Sequence, residues 1–184
     1  MRDRGGRGVS KIGPEEIRTG RLVLVPLRAE HADEMAGVLS DPALHAFTGG
    51  APAAVPELRS RYARMIAGPS DPAVSWCNWV LLLREEGCLT GTVQATVTED
   101  GGDGAGRTAE VAWVVGTPWQ GRGIATEAAR ALVARLGELG VRTVVAHIHP
   151  DHGASAAVAA AAGLSPTGHL HDGEVRWRLT LPEG

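Results

Sequence analysis

Two strand-like segments, TAEVAWVVG (108–116) and VRTVVAHIH (141–149), flank one run of helix formers that begins at a glycine-rich turn, PWQGRGIATEA. Strands joined through a helix in this way run parallel, because a parallel pair needs a long crossover where an antiparallel pair needs only a hairpin turn. The helix carries Ala125, Ala128, Ala129, Leu132, Leu136 and Leu139 on a single apolar stripe, and Gly140 closes it. The turn before it is chemically the richest part of the unit. Gly121 and Gly123 let successive backbone amides point into one concavity, and the helix starting near Ile124 adds its unpaired N–H groups and the positive end of its dipole. Gly123 and Ala125 keep the approach clear, and Arg122 brings a cation to the rim. Such a turn is a cradle for a pyrophosphate.

The rest of the chain builds around that unit. RLVLVPL alternates apolar residues at Leu22, Leu24 and Leu27, which reads as a first strand with Pro26 near its end. Ala32, Met35, Ala36 and Leu39 follow at helical spacing, up to the stop at Asp41–Pro42. Pro52 and Pro56 bracket a loop, and a second helix is expected over Glu57–Ala67. SWCNWVLLLREEGCLTGTVQATVTE reads as a hairpin turning at Glu85–Gly87, and DGGDGAGR as a flexible loop. After the crossover come a short alanine-rich helix ending at Gly163 and a hairpin about Asp172–Gly173, with Val175, Trp177, Leu179 and Leu181 on one face. The order β-α-α-β-β-β-α-β-α-β-β describes a single mixed α/β domain. Its sheet is expected to be mostly antiparallel, with helices on both faces. The expected domain spans 17–184, after a disordered basic leader over 1–16.

Charge narrows the function. The net charge is −3, and Arg2, Arg4, Arg7 and Lys11 lie in the leader against Asp3 alone, so the body is more acidic still. An acidic body offers no nucleic-acid platform. No apolar run is long enough to cross a membrane, and the N-terminus lacks the apolar region of a signal peptide. The cytoplasm is therefore the expected compartment. Cys77 and Cys88 show no metal spacing and read as reduced, mostly buried thiols.

Two families of anion-binding turn compete. A dinucleotide fingerprint would need a third glycine where Thr126 stands, and an acid about twenty residues downstream; the next acid after Glu138 is Asp151. Too little chain follows for a doubly wound sheet. By contrast, Gln120-Gly121-Arg122-Gly123-Ile124-Ala125 resembles the Gln/Arg-x-x-Gly-x-Gly/Ala signature with which the GNAT superfamily of N-acetyltransferases holds acetyl-CoA. AEVAWVV, HPDHGASAAVAAAAGL and RTGRLVLVPLRAEHADEM resemble the central strand, the second helix and the opening of its ribosomal-protein-alanine N-acetyltransferase branch. The resemblance covers about Arg18 to Leu181.

The resemblance implies the GNAT fold, in which the parallel pair splays and the pantetheine arm of the cosubstrate enters between the strands. The amides of Gly121, Arg122, Gly123, Ala125 and Thr126, with Gln120 and Ile124 in the same turn, would bind pyrophosphate. Backbone groups of Val114 and Val115 would pair with the arm, and the Val115 amide would polarise the acetyl carbonyl. Ser155 would contact the arm near the thiol. Glu110 matches the position that often deprotonates the amine through water. The chain departs from the pattern in three places. The loop proline is displaced to Pro118, the helix asparagine is His152, and no tyrosine follows Gly123 to act as general acid, since the single tyrosine is Tyr62. Help for the leaving thiolate therefore falls to Ser155, His152 or water.

The function implied is transfer of an acetyl group from acetyl-CoA to a primary amine, either a protein N-terminus or a small molecule, by direct attack in a ternary complex. A non-catalytic acyl-CoA-binding module is the alternative. No metal is expected: His147 and His149 share a strand face, but no further ligand is evident, and a histidine lining the acceptor cleft is the simpler reading. Trp76, Trp79 and Trp113 are candidate pocket walls or core anchors. Arg59, Arg61 and Arg64 read either as a solvated helix face or as recognition of an acidic acceptor. A monomer or a homodimer is expected, the final hairpin with Trp177 being the candidate subunit contact.

Overall fold

The computed structural model describes residues 11–99 and 106–182, so most of the expected leader and most of the glycine-rich loop lie outside the described residues. Eight strands form one sheet: β1 Ile17–Arg18, β2 Leu22–Pro26, β3 Val74–Leu83, β4 Cys88–Thr98, β5 Arg107–Val115, β6 Val141–Ile148, β7 Ser165–His171 and β8 Glu174–Thr180. Four α-helices connect them: α1 Ala32–Val38, α2 Val55–Ala67, α3 Ile124–Glu138 and α4 Gly153–Ala161. The sheet order is β1-β2-β3-β4-β5-β6-β8-β7, and β5–β6 is its parallel pair.

Three boundaries differ from expectation for physical reasons. The chain is already packed at Ile12, ahead of the expected boundary at 17. Ile12 N–H donates to Ser75 Oγ at 3.1 Å, and Trp79 Nε1 donates to Glu15 O at 2.8 Å. Ile17–Arg18 then adds a short edge strand that no periodicity could announce. Helix α2 starts at Val55, earlier than Glu57, because Pro56 sits in its first turn, where the missing N–H has no partner to lose.

The helices divide between the two faces. Helix α3 buries Ile124, Ala128, Leu132 and Leu136 against Ala109, Val111, Val144 and Ala146, and α4 joins the same core through Ala159. Each large aliphatic side chain so buried contributes roughly 1.5–3 kcal/mol. On the opposite face α1 and α2 place Met35, Val38, Leu58 and Tyr62 against Val80 and Leu89. Trp177 packs against the α3 core, so it anchors the final hairpin to its own domain.

The sheet opens in its middle. The β5–β6 ladder pairs Arg107 with Val141 and ends where Glu110 meets Val145, although both strands continue. On its other side β5 stays paired with β4 as far as Val115, opposite Gly91. That approach is so close that a Cβ on Gly91 would lie 2.2 Å from the Val114 carbonyl oxygen, which only glycine accommodates. Glycine at 91 holds β5 to β4 where it has left β6.

Candidate active site

The opening between β5 and β6 presents a defined set of backbone groups. Gly116 N–H donates to Thr90 O at 2.8 Å. With the two-residue alternation of an antiparallel ladder, this turns the backbone polar groups of Val114 toward β4 and those of Trp113 and Val115 toward the opening. The Gln120 side chain confirms the direction, since its Nε2 donates to Val115 O at 3.0 Å. Of the two residues expected to face the gap, Val115 does so; Val114 turns its polar groups to β4, and Trp113 takes its place.

The glycine turn adjoins this opening. Gly121 (φ 71°) and Gly123 (φ 75°) both lie in the left-handed region, and Gly123 is the N-cap of α3. The N–H groups of the first α3 turn, around Ile124, Ala125 and Thr126, thus form the positive end of the helix. An acid sits in that turn as well, but it is occupied. Glu127 accepts from Thr19 Oγ1 at 2.6 Å, Arg21 N at 2.8 Å and Arg21 Nε at 2.7 Å, and Arg21 Nη1 donates to Arg122 O at 2.8 Å. These bonds hold its carboxyl below the usual range despite the opposing effect of burial. The same contacts tie the β1–β2 turn to the loop. A cleft of about 610 Å³ runs beside it, bordered by Arg21, Gly123, Thr126 and Arg130.

The side chain of Arg122 is also engaged. Glu86, in the β3–β4 turn, accepts from Arg122 Nη2 at 2.7 Å and from Trp119 Nε1 at 3.0 Å. Both contacts hold the Glu86 carboxyl low. Sequence reasoning missed Glu86, Arg21 and Glu127, because each reaches the loop from a distant turn or from the far side of the helix.

Side chains gather on both sides of the opening. On the α3–α4 side, Trp113 Nε1 donates to Ser155 Oγ at 3.1 Å. On the other side, Glu110 Oε1 lies 3.0 Å from His147 Nδ1; a carboxylate only accepts, so the shared hydrogen belongs to the imidazole. The Glu110 side chain is 56% exposed, whereas that of His147 is 17% exposed. The ring of His171 stands 5.4 Å from that of His147. His149 and His152 lie beneath Phe47, at ring separations of 5.3 and 4.3 Å. Burial, and then the charge of His149, pushes the His152 pKa down, so at neutral pH it is an uncharged imidazole.

Other candidates separate clearly. Trp79 is a core residue and Trp76 is exposed. Arg59 pairs with Asp33 of α1, whereas Arg61 reaches only a loose contact with Glu57 at 3.7 Å and borders a cavity under α2. Cys77 is buried and its thiol is pushed up to about 11; Cys88 is partly exposed. Among the described residues no cluster of histidine, cysteine and acids has the makings of a metal site.

A mixed sheet opened at its parallel pair, with a glycine-started helix N-terminus at the opening, defines the acyl-CoA transferase class of α/β fold. The chain belongs to the GNAT acetyltransferases: the family model described as acetyltransferase (GNAT) domain matches residues 21–165. No curated protein sequence matches the chain. Among solved structures it is similar to RimL, a ribosomal L7/L12 α-N-protein acetyltransferase in complex with coenzyme A. The two are 17% identical, with a TM-score of 0.76, covering 92% of this chain and 100% of that one. It is also similar to a ribosomal-protein-serine acetyltransferase assigned in Vibrio cholerae (19% identity, TM-score 0.69, 92% and 99% covered). A third similar structure is AAC(6')-Ib in complex with paromomycin and acetyl-CoA (17% identity, TM-score 0.70, 87% and 93% covered). At these identities the likeness is one of fold.

Proposed function

We propose that this acetyltransferase moves the acetyl group of acetyl-CoA to a primary amine by direct attack in a ternary complex. One observation carries the reading: the opening in the sheet has donors on one side and a carboxylate–imidazole pair on the other. The residues present fit the cosubstrate, since two positive-φ glycines, a helix N-terminus and the unpaired strand edge line up along one path.

Each residue then has a task. The amides from Gly121 to Thr126 hold the pyrophosphate, with Arg21 and Arg130 as nearby cations. Trp113 and Val115 pair with the pantetheine arm as an added strand, and the Val115 N–H donates to the thioester carbonyl oxygen as charge builds there. Ser155 Oγ already accepts a hydrogen bond from Trp113, which leaves its own proton free to donate to the departing sulfur. A thiol of pKa near ~8.5 needs only modest help of this kind. Neutral His152 can add an N–H donor at the same end.

Glu110 takes the proton that the amine loses, directly or through one water, and His147 fixes the orientation of its carboxylate. A peptide α-amine titrates near ~8 and a lysine amine above ~10, so the former makes the lighter demand on this base. Together with the ribosomal-protein branch resemblance, this supports a protein N-terminus as acceptor, with small amines as the other class. A covalent acetyl-enzyme finds no support, since burial pushes up the thiols of both Cys77 and Cys88, with Glu86 adding to the effect at Cys88. The free thiols fit a cytoplasmic setting.

The test is thiol release from acetyl-CoA across peptides of varied N-terminus and a set of small amines. Release matched by amide formation is the expected result. If no amine elicits release, the transferase reading fails.

A further inference from the structure

The acceptor side of the sheet contains a cavity of about 200 Å³ between α2 and strands β3 and β4. Its polar lining comes from Arg61 and Tyr62 on α2, Asn78 on β3, and Thr92 and Gln94 on β4. Tyr62 is 3% exposed, and its hydroxyl is buried with no hydrogen-bond partner. Such a hydroxyl has hydrogen-bonding capacity that no group of the chain uses, so it is open to a water or a ligand group that enters the cavity. Burial pushes the phenol up to about 12, which keeps it a donor at neutral pH.

Register locates this cavity relative to the reacting atoms. Thr92 is opposite Val114 and Gln94 opposite Ala112, on the face that also carries Glu110 opposite Thr96. Asn78 is opposite Gln94, one strand further out. With strands about 4.8 Å apart, the lining therefore begins roughly 5 Å from the β5 line and extends to about 10 Å. Among the residues lining it none is acidic, whereas a guanidinium, hydroxyls and carboxamides all supply donors.

We infer that this cavity is the acceptor subsite and that it takes a carboxylate carried at least one strand spacing, about 5 Å, from the amine that is acetylated. The inference rests on the transferase reading for its position beside the reacting amine. Arg61 supplies the charge, since its contact with Glu57 is long and solvent-exposed, and the Tyr62 hydroxyl supplies the buried hydrogen bond. The walls of Leu58 and Met65 accept the intervening methylenes.

The test compares ω-amino acids of increasing chain length with alkylamines of matched length, using the full chain and its Tyr62→Phe variant. The wild type is expected to favour the best ω-amino acid in kcat/KM. Tyr62→Phe is expected to cut that preference about 10-fold, with acetyl-CoA affinity kept and the thermal midpoint unchanged or raised. Where amines are acetylated, a preference that is absent, or that survives the substitution intact, overturns the proposal and leaves the cavity to water. Calorimetric binding of the ω-amino acid to the protein with coenzyme A present separates the two ideas. Binding that weakens in Tyr62→Phe supports the subsite even if no amine is acetylated, and no binding together with no preference sinks it.

Discussion

Trp113 and Ser155 are joined by an indole N–H that donates to the serine oxygen at 3.1 Å, linking β5 to α4 beside the opening between β5 and β6. The serine oxygen is thereby committed as an acceptor, and its hydrogen is directed elsewhere. A residue on the central strand thus determines what a residue on a later helix can do chemically.

Trp113→Phe and Ser155→Ala should each lower kcat by about 10-fold while leaving the KM for acetyl-CoA nearly unchanged, because a leaving-group donor acts on the transition state. The double variant should be no worse than either single one, since the two act as a unit. Steady-state kinetics on the three variants decide this, and additive losses would separate the two residues.

Glu110→Gln keeps the shape of the side chain and removes its basicity. Turnover should fall by about 10²-fold at neutral pH with acetyl-CoA binding intact. The deficit should narrow as the assay pH rises, because the amine then arrives unprotonated. A pH–rate profile that runs parallel to wild type would remove Glu110 from the role of base.

Glu86 holds Arg122 at 2.7 Å, beside the loop that would hold pyrophosphate. Glu86→Gln removes a negative charge from that site and frees the guanidinium. Affinity for coenzyme A should tighten by roughly 3-fold at low salt, and the gain should shrink as ionic strength rises. Titration at two salt concentrations is sufficient, and weaker binding would instead mean that Glu86 preorganises the loop.

Gly91→Ala would place a methyl group 2.2 Å from a backbone oxygen that has no freedom to move aside. The expected loss is at least the ~1–3 kcal/mol of an overpacked core. Gly37→Ala is the control, because a Cβ there meets open space in α1 and should stabilise by up to ~1 kcal/mol. Thermal unfolding of the pair measures both.

The single tyrosine makes its titration directly readable. Tyrosinate absorbance should appear near pH 12 in the folded protein, against about 10 in the unfolded chain. A raised acid pKa gives stability that is complete below the unfolded value and lost as pH climbs to the folded one. Unfolding midpoints should therefore fall between about pH 10 and pH 12, and Tyr62→Phe should remove that part of the fall.

Much of this was legible in sequence because it is local. The crossover helix, its Gly123 start and the strands on either side follow from periodicity and turn chemistry within a short span. So does the parallel pair. The extent of the opening does not, because no pattern within β5 or β6 says where their ladder stops. Nor does β5 alone say which of its alternate residues turns its backbone groups to which neighbour, since that is set by register with β4.

By itself, then, the sequence determined the mixed α/β class, the helical crossover and the glycine-rich turn that opens its helix, since each is encoded over a few consecutive residues. Only tertiary structure decided that Trp113 orients Ser155, that His147 meets Glu110, that Glu86 restrains Arg122, and that the Tyr62 hydroxyl is buried unpaired beside a polar cavity. Those relationships join residues 36 or more positions apart or depend on how helices cover the sheet, and short-range periodicity holds no information about distances across the fold.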